Sequence, residues 1–164
     1  MRNLVLLSTV AAVFALTSFN AKATTDVTAN GEAKVKIVKA VAMEHDNSAA
    51  LDFGTAMAAI DHTITINPET GAQTQSDLGQ IVTAGSRDHF TVTVPANMTL
   101  TITLPANLAI SDKLNVTSFT SYPASSISAT AAGPNDIYVG GTLAVTAGAA
   151  VDDYSEAYTL TVSY

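Results

Sequence analysis

The sequence predicts an all-β protein, a sandwich of about seven to nine short antiparallel strands. Three observations predict it. Apolar and polar residues alternate strictly through most of the chain beyond residue 24, with β-branched residues on both sides of the alternation, as a half-buried pleated surface requires. Proline, asparagine and glycine recur between the alternating runs, which keeps each strand short. No long stretch carries an apolar stripe at helical spacing, and the chain is 48% hydrophobic but only 13% charged.

The first element is an address. Arg2 supplies a positive start, residues 4–16 run almost unbroken apolar, and Ala21-Lys22-Ala23 matches the small-x-small cleavage pattern of a secretory signal peptide. The expected cut follows Ala23, giving a signal peptide over 1–23 and a single domain over 24–164. The apolar run falls short of the ~20 residues that span a bilayer, which argues against an uncleaved anchor.

The mature chain then reads as strand after strand. Val27, Ala29, Gly31, Ala33, Val35 and Ile37 take every second position, between Thr28, Asn30, Glu32, Lys34 and Lys36. Residues 48–57 are alanine-rich, yet Leu51-Asp52-Phe53-Gly54 reads as a short strand closing in a turn. Ile64 and Ile66 alternate with Thr63 and Thr65 before the turn residues Pro68-Glu69-Thr70-Gly71. Phe90, Val92 and Val94 face one way against His89, Thr91 and Thr93; Leu100, Ile102 and Leu104 repeat this against Thr99, Thr101 and Thr103. Pro95-Ala96-Asn97 lies between these two runs and predicts a hairpin, and Pro105-Ala106-Asn107 ends the second run in the same way. Strands also fall over 114–119, 137–145 and 158–164. Gly140-Gly141 interrupts one of them and marks a bulge or a close backbone approach. Residues 144–151 have the only other helix-like composition, broken by Gly148. Short alternating strands spaced by turns make the expected sandwich immunoglobulin-like.

Charge and composition exclude several classes. Fourteen acidic side chains stand against seven basic ones, and signal cleavage removes two of the basic ones, which argues against a nucleic-acid partner, since that would need a basic face. High hydrophobicity with low charge is the reverse of a disordered chain. Without cysteine there is no disulfide, thiolate metal site or thiol nucleophile. An exported domain lacking disulfides must rely on its core alone or on completion by another chain.

Candidate chemistry is sparse. Each histidine adjoins an aspartate, as His45-Asp46, Asp61-His62 and Asp88-His89. Imidazole and carboxylate are ordinary metal ligands, but no two histidines have ligand spacing, and solvated or edge positions explain them better. His62 is in register with Ile60, Ile64 and Ile66 and is expected at the core edge. Asp152, Asp153 and Glu156, with Asp136 as a potential neighbour, form an acidic cluster without the glycine and spaced carboxylates of a calcium loop. A nucleophile elbow and a phosphate-binding glycine loop are both missing from the sequence. The expectation is a protein that is not an enzyme and has no cofactor or metal.

A family resemblance runs along the chain. Ile37-Val38-Lys39 followed by Leu51-Asp52-Phe53-Gly54 resembles the opening of a bacterial family catalogued as domain of unknown function 4402. Phe90-Thr91-Val92-Thr93-Val94 and Leu100-Thr101-Ile102-Thr103-Leu104-Pro105 are similar to its middle. Val139-Gly140-Gly141-Thr142-Leu143, Tyr154 and the closing Tyr158-Thr159-Leu160-Thr161-Val162-Ser163-Tyr164 are similar to its end. The resemblance implies an all-β fold and export from a Gram-negative cell. The chain also resembles, more loosely, the pilin-like subunits of archaic chaperone–usher systems, including spore-coat-U-type domains. It departs from many of them in having no disulfide and in placing Tyr164 at the very end.

These readings lead to an exported structural subunit whose partners are other copies of itself or related subunits, with an export chaperone and usher. Val27, Ala29, Gly31, Ala33 and Val35 form a segment able to add as a strand to another sheet; equally, 27–37 can be the first strand of its own sandwich. Tyr158, Leu160, Val162 and Tyr164 share one face of the closing strand, with Tyr158, Leu160 and Val162 turned to the core. A self-contained secreted or periplasmic binding module is the main alternative. A small outer-membrane barrel is another, although its strands need ~9–11 residues and aromatic girdles. No membrane span is expected after signal cleavage.

Overall fold

A computed structural model describes residues 28–37 and 40–164. The expected signal peptide, Val27 and the Val38-Lys39 pair lie outside the described residues. Residues 28–36 belong to a different unit from the one that begins at Ile37. Residues 28–36 are exposed and have no strand.

Among its described residues the second unit is all-β, with twelve strands rather than seven to nine, because several are only two to four residues long. They are β1 (Ala42–His45), β2 (Thr55–Ala56), β3 (His62–Ile66), β4 (Gln73–Gln75), β5 (Ile81–Thr83), β6 (Asp88–Val94), β7 (Met98–Thr103), β8 (Leu108–Ser111), β9 (Leu114–Tyr122), β10 (Ser126–Ala129), β11 (Gly133–Val145) and β12 (Thr161–Ser163). All pairings are antiparallel. β1, β6, β11, β3 and β4 follow one another in a seven-stranded sheet, with β9 also on β11 and β8 on β9. A three-stranded sheet has the order β10-β7-β12, and β2 pairs with β5.

The two larger sheets share a core, giving a sandwich-like arrangement. Val92, Val94, Ile137 and Val139 from the seven-stranded sheet meet Leu100, Ile102, Ile127, Ala129 and Leu160. A second cluster joins Phe53, Ile64, Ile66, Val116, Leu143 and Val145. The alternation fixes which side chains enter: Ile64 and Ile66 are fully buried while Thr63 and Thr65 are not, and Leu100 and Ile102 are buried while Thr99, Thr101 and Thr103 are exposed. On β10-β7-β12 every outward position is serine or threonine: Ser126, Ser128, Thr99, Thr101, Thr103, Thr161 and Ser163.

One expected hairpin is corrected. The Pro95-Ala96-Asn97 turn carries the chain from one sheet to the other, because β6 pairs with β1 and β11 whereas β7 pairs with β10 and β12. Asn97 takes the left-handed conformation (φ 59°) that such a reversal needs and that asparagine tolerates.

Gly140-Gly141 is a close backbone approach, the second of the two alternatives expected for it. A Cβ on Gly140 would stand 2.2 Å from the carbonyl oxygen of Ile66 and 2.8 Å from the nitrogen of Pro68, and one on Gly141 would stand 2.7 Å from the carbonyl oxygen of Ser118. Here β11 exchanges β6, paired up to Val139, for β3, paired from Gly141. The pairing with β9 also slips at Thr142/Leu143, leaving Thr117 without an opposite number, as in a bulge. Asp52 and Phe53 do not form the expected strand. Asp52 makes an isolated bridge with Ser86, and the following turn uses Gly54 at φ 73°.

Candidate functional site

The sequence points to two places, the segment after the signal peptide and the closing strand; the structure adds a polar cluster between β1 and β6. Of the first, Ala29, Gly31, Ala33 and Val35 are exposed in an extended stretch without strand pairing. Val35 is 86% exposed, and Ile37, which opens the second unit, is 89% exposed.

The closing strand is shorter than expected. β12 covers only Thr161–Ser163, paired with β7 so that Val162 lies opposite Ile102. Leu160 is buried and Val162 half-buried, so the inward register is as read from the alternation. Tyr164, one residue past the strand, is 87% exposed. Tyr158 lies before the strand, where its ring packs 5.0 Å from Phe119 and its hydroxyl donates to Asp88 Oδ2 at 2.6 Å. Burial and the Asp88 carboxylate together push the Tyr158 phenol well above its ordinary range. Among the described residues β12 pairs only with β7, and β1 only with β6. Each therefore leaves one edge of hydrogen-bonding groups unpaired in its sheet.

The polar cluster arises from register. β1 and β6 run antiparallel with His45 opposite Phe90, so the next residue, Asp46, falls opposite His89, and its amide donates to the His89 carbonyl at 3.0 Å. Asp46 therefore meets His89 directly across the pair, and His45, opposite Phe90, reaches Asp88 diagonally. His45 Nε2 lies 2.8 Å from Asp88 Oδ1, and His89 Nδ1 lies 3.3 Å from Asp46 Oδ2. On the inward side, the buried Asp88 carboxylate accepts from the His89 amide and the Tyr158 hydroxyl and meets His45. On the outward side, His89 Nε2 reaches Asp136 Oδ1 at 3.1 Å, and its ring stacks 4.8 Å from Tyr138. Asp136 thus belongs to this cluster and not to the acidic loop of Asp152, Asp153 and Glu156, whose residues are exposed.

Burial of His89 works against its charge, but hydrogen bonds and attraction from Asp136 and Asp46 prevail, and its pKa lies above the ordinary histidine value. Asp46 is held down to about 2, first by the hydroxyl and amide of Ser48 and then by His89. Arg87 closes the outer face. Its guanidinium lies 3.7 Å from the centre of the Tyr138 ring and donates to the carbonyls of Pro68 and Glu69, fastening the turn after β3. Sequence reasoning missed Arg87, although it is the sole arginine beyond Arg2. His62 is buried at the start of β3 as expected, with Nδ1 3.0 Å from the Ile60 carbonyl oxygen; Ile60 itself is 44% exposed and not in line with the core.

Chemically, this arrangement fastens strands. Both nitrogens of His89 face carboxylates, the Asp88 oxygens are occupied, and among the described residues no group of three or more His, Cys, Asp or Glu side chains converges as a metal site. A shallow depression of about 530 Å³ runs between the end of β7 and β9, lined by Ile102, Leu104, Pro105 and Phe119 among others, with no titratable side chain in it. Among the described residues no helix is long and apolar enough to cross a membrane.

The fold and these edges define an all-β domain of antiparallel sheets. The chain belongs to the family described as Domain of unknown function (DUF4402), whose model matches residues 41–164. No curated protein and no solved structure matches the chain.

Proposed function

We propose that this protein is an exported structural subunit that assembles by strand exchange, with Val27, Ala29, Gly31, Ala33 and Val35 supplying alternate side chains to a neighbouring copy or related subunit. The observation that carries this reading is the exposure of an alternating apolar segment without strand pairing, with Val35 86% exposed. Such a segment is an aggregation hazard unless it is covered, and pairing to a sheet edge covers it while satisfying its backbone. The unpaired edges of β12 and β1 are edges of the kind it would complete. Export through a cleaved signal peptide, a chaperone and an usher, and an immunoglobulin-like topology belong to the same proposal. Intact mass of exported protein beginning at Thr24 tests the first of these.

A self-contained secreted module is the second reading, favoured by the well-buried core clusters within residues 41–164. The outer-membrane barrel is disfavoured by the outward serine and threonine residues of β10-β7-β12, where lipid would require apolar ones. Native mass spectrometry and mild-detergent electrophoresis separate the first two. Strand exchange gives a ladder of non-covalent multimers that deletion of residues 24–32 abolishes without unfolding the domain. It is weakened by Val35→Asp but not by Thr28→Asp. A monomeric intact protein would remove the reading.

A further inference from the structure

We propose that Asn30-Gly31 is a site of spontaneous chemical modification, where the asparagine deamidates through a cyclic imide. It is the single Asn-Gly pair in the chain. The Gly31 amide nitrogen attacks Cγ of Asn30. The new N–Cγ bond forms as the Cγ–NH2 bond breaks, and the amide proton leaves with the departing ammonia. Water then opens the ring at either carbonyl, giving an aspartyl or an isoaspartyl linkage; no oxidant or cofactor is involved.

Three features favour this reaction here. Glycine has no Cβ to crowd the attacking nitrogen and reaches the required backbone conformations at little cost. Asn30 and Gly31 are both exposed and outside any strand, so their amides are free of the ladder that would hold them away from the side chain. A Cβ built on Gly31 would meet nothing within 4 Å. The chain's other described asparagines lack this combination. Asn67 precedes proline, which has no amide to attack, and its Oδ1 accepts from Glu69 and Thr70. Asn115 and Asn135 lie within β9 and β11, Asn97 and Asn107 precede the bulky Met98 and Leu108, and Asn47 precedes Ser48 in a turn.

The isoaspartyl product routes the backbone through Cβ and adds one methylene to it. Val27 and Ala29 then no longer share a face with Ala33 and Val35, and a negative charge stands between them. On the strand-exchange reading, on which this consequence alone rests, deamidation disables an unpaired subunit, while a donated strand is protected because the Gly31 amide is held by its new partner.

The test uses the mature chain, dispersed in urea and diluted to monomer, then held at mildly alkaline pH. Peptide mapping with electron-transfer fragmentation should find the peptide containing residue 30 one mass unit heavier, with the isoaspartyl form predominating, ahead of every other asparagine. Gly31→Val should suppress the product at position 30, and Asn30→Gln should abolish it. Faster conversion at another asparagine, or none at Asn30 in the monomer, would overturn the proposal whatever the chain's assembly state. Equal conversion in monomers and in any native multimers would uphold the modification site and overturn the strand-exchange reading.

Discussion

Replacing Gly140 with alanine should be a costly single-methyl addition, and Gly133→Ala gives an internal comparison on the same strand. At Gly140 the added Cβ meets the Ile66 carbonyl oxygen at 2.2 Å and the Pro68 nitrogen at 2.8 Å, both backbone atoms on the strand it pairs with and the turn beyond. A side chain could rotate aside, but these atoms move only if β3 or its turn moves. Overpacking of a tight interior typically costs ~1–3 kcal/mol, and backbone obstruction places Gly140→Ala at the upper end, about 3 kcal/mol. At Gly133 a Cβ meets nothing within 4 Å, and φ is not positive. Alanine there should be neutral or stabilise by up to ~1 kcal/mol through the unfolded chain. For a domain of this size ~1 kcal/mol moves the midpoint by roughly 3–5 °C. Thermal denaturation followed by far-UV circular dichroism should therefore show a fall of about 10 °C for Gly140→Ala and a small rise or none for Gly133→Ala. Similar melting of the two variants would refute the argument that β11 crosses β3 too closely for a side chain.

Leu160→Ala removes a buried side chain from the shared core and should cost ~2–5 kcal/mol in urea unfolding, whereas the exposed Thr161→Ala should stay within ~0.5 kcal/mol. Tyr158→Phe deletes a donor to a buried carboxylate, and the same measurement should show a loss of ~1.5–3 kcal/mol while the ring packing persists. Because the folded-state pKa of His89 is raised, its pairing with Asp136 and Asp46 stabilises fully below the ordinary value of ~6.5 and fades as pH rises through the folded value. Thermal midpoints of His89→Gln relative to the parent should accordingly converge as the buffer moves from about pH 6 to pH 8; a gap that widens would contradict the assigned direction.

Period-two alternation made the burial of β3, β6 and β7 legible, because side-chain direction in a strand is a local property. Ile64, Ile66, Val92, Val94, Leu100 and Ile102 all went where the pattern sent them. Partner choice is not local. The runs around Pro95 look like a hairpin, yet β6 finds its partner in β11, whose Ile137 lies opposite Phe90. Nothing in either run distinguishes pairing with its neighbour in sequence from pairing with a distant strand. The polar cluster was hidden for the same reason, because the dipeptides His45-Asp46 and Asp88-His89 do not by themselves reveal the register that joins them. Register and not dipeptide order decides the pairing: Asp46 follows His45 and so meets His89, while His45, opposite Phe90, reaches Asp88 diagonally.

β11 also bears on how the domain comes apart. It contributes Ile137 and Val139 to one hydrophobic cluster and Leu143 and Val145 to the other. Detaching it removes a wall from both at once, so neither cluster can open as an independent unit while the other keeps its full complement. Sub-global opening is then confined to elements outside this strand's reach, such as the two-residue β2 with its partner β5. The slowest-exchanging amides of both clusters should report a single common opening event, the signature of an all-or-none transition in a molecule whose core is divided in two.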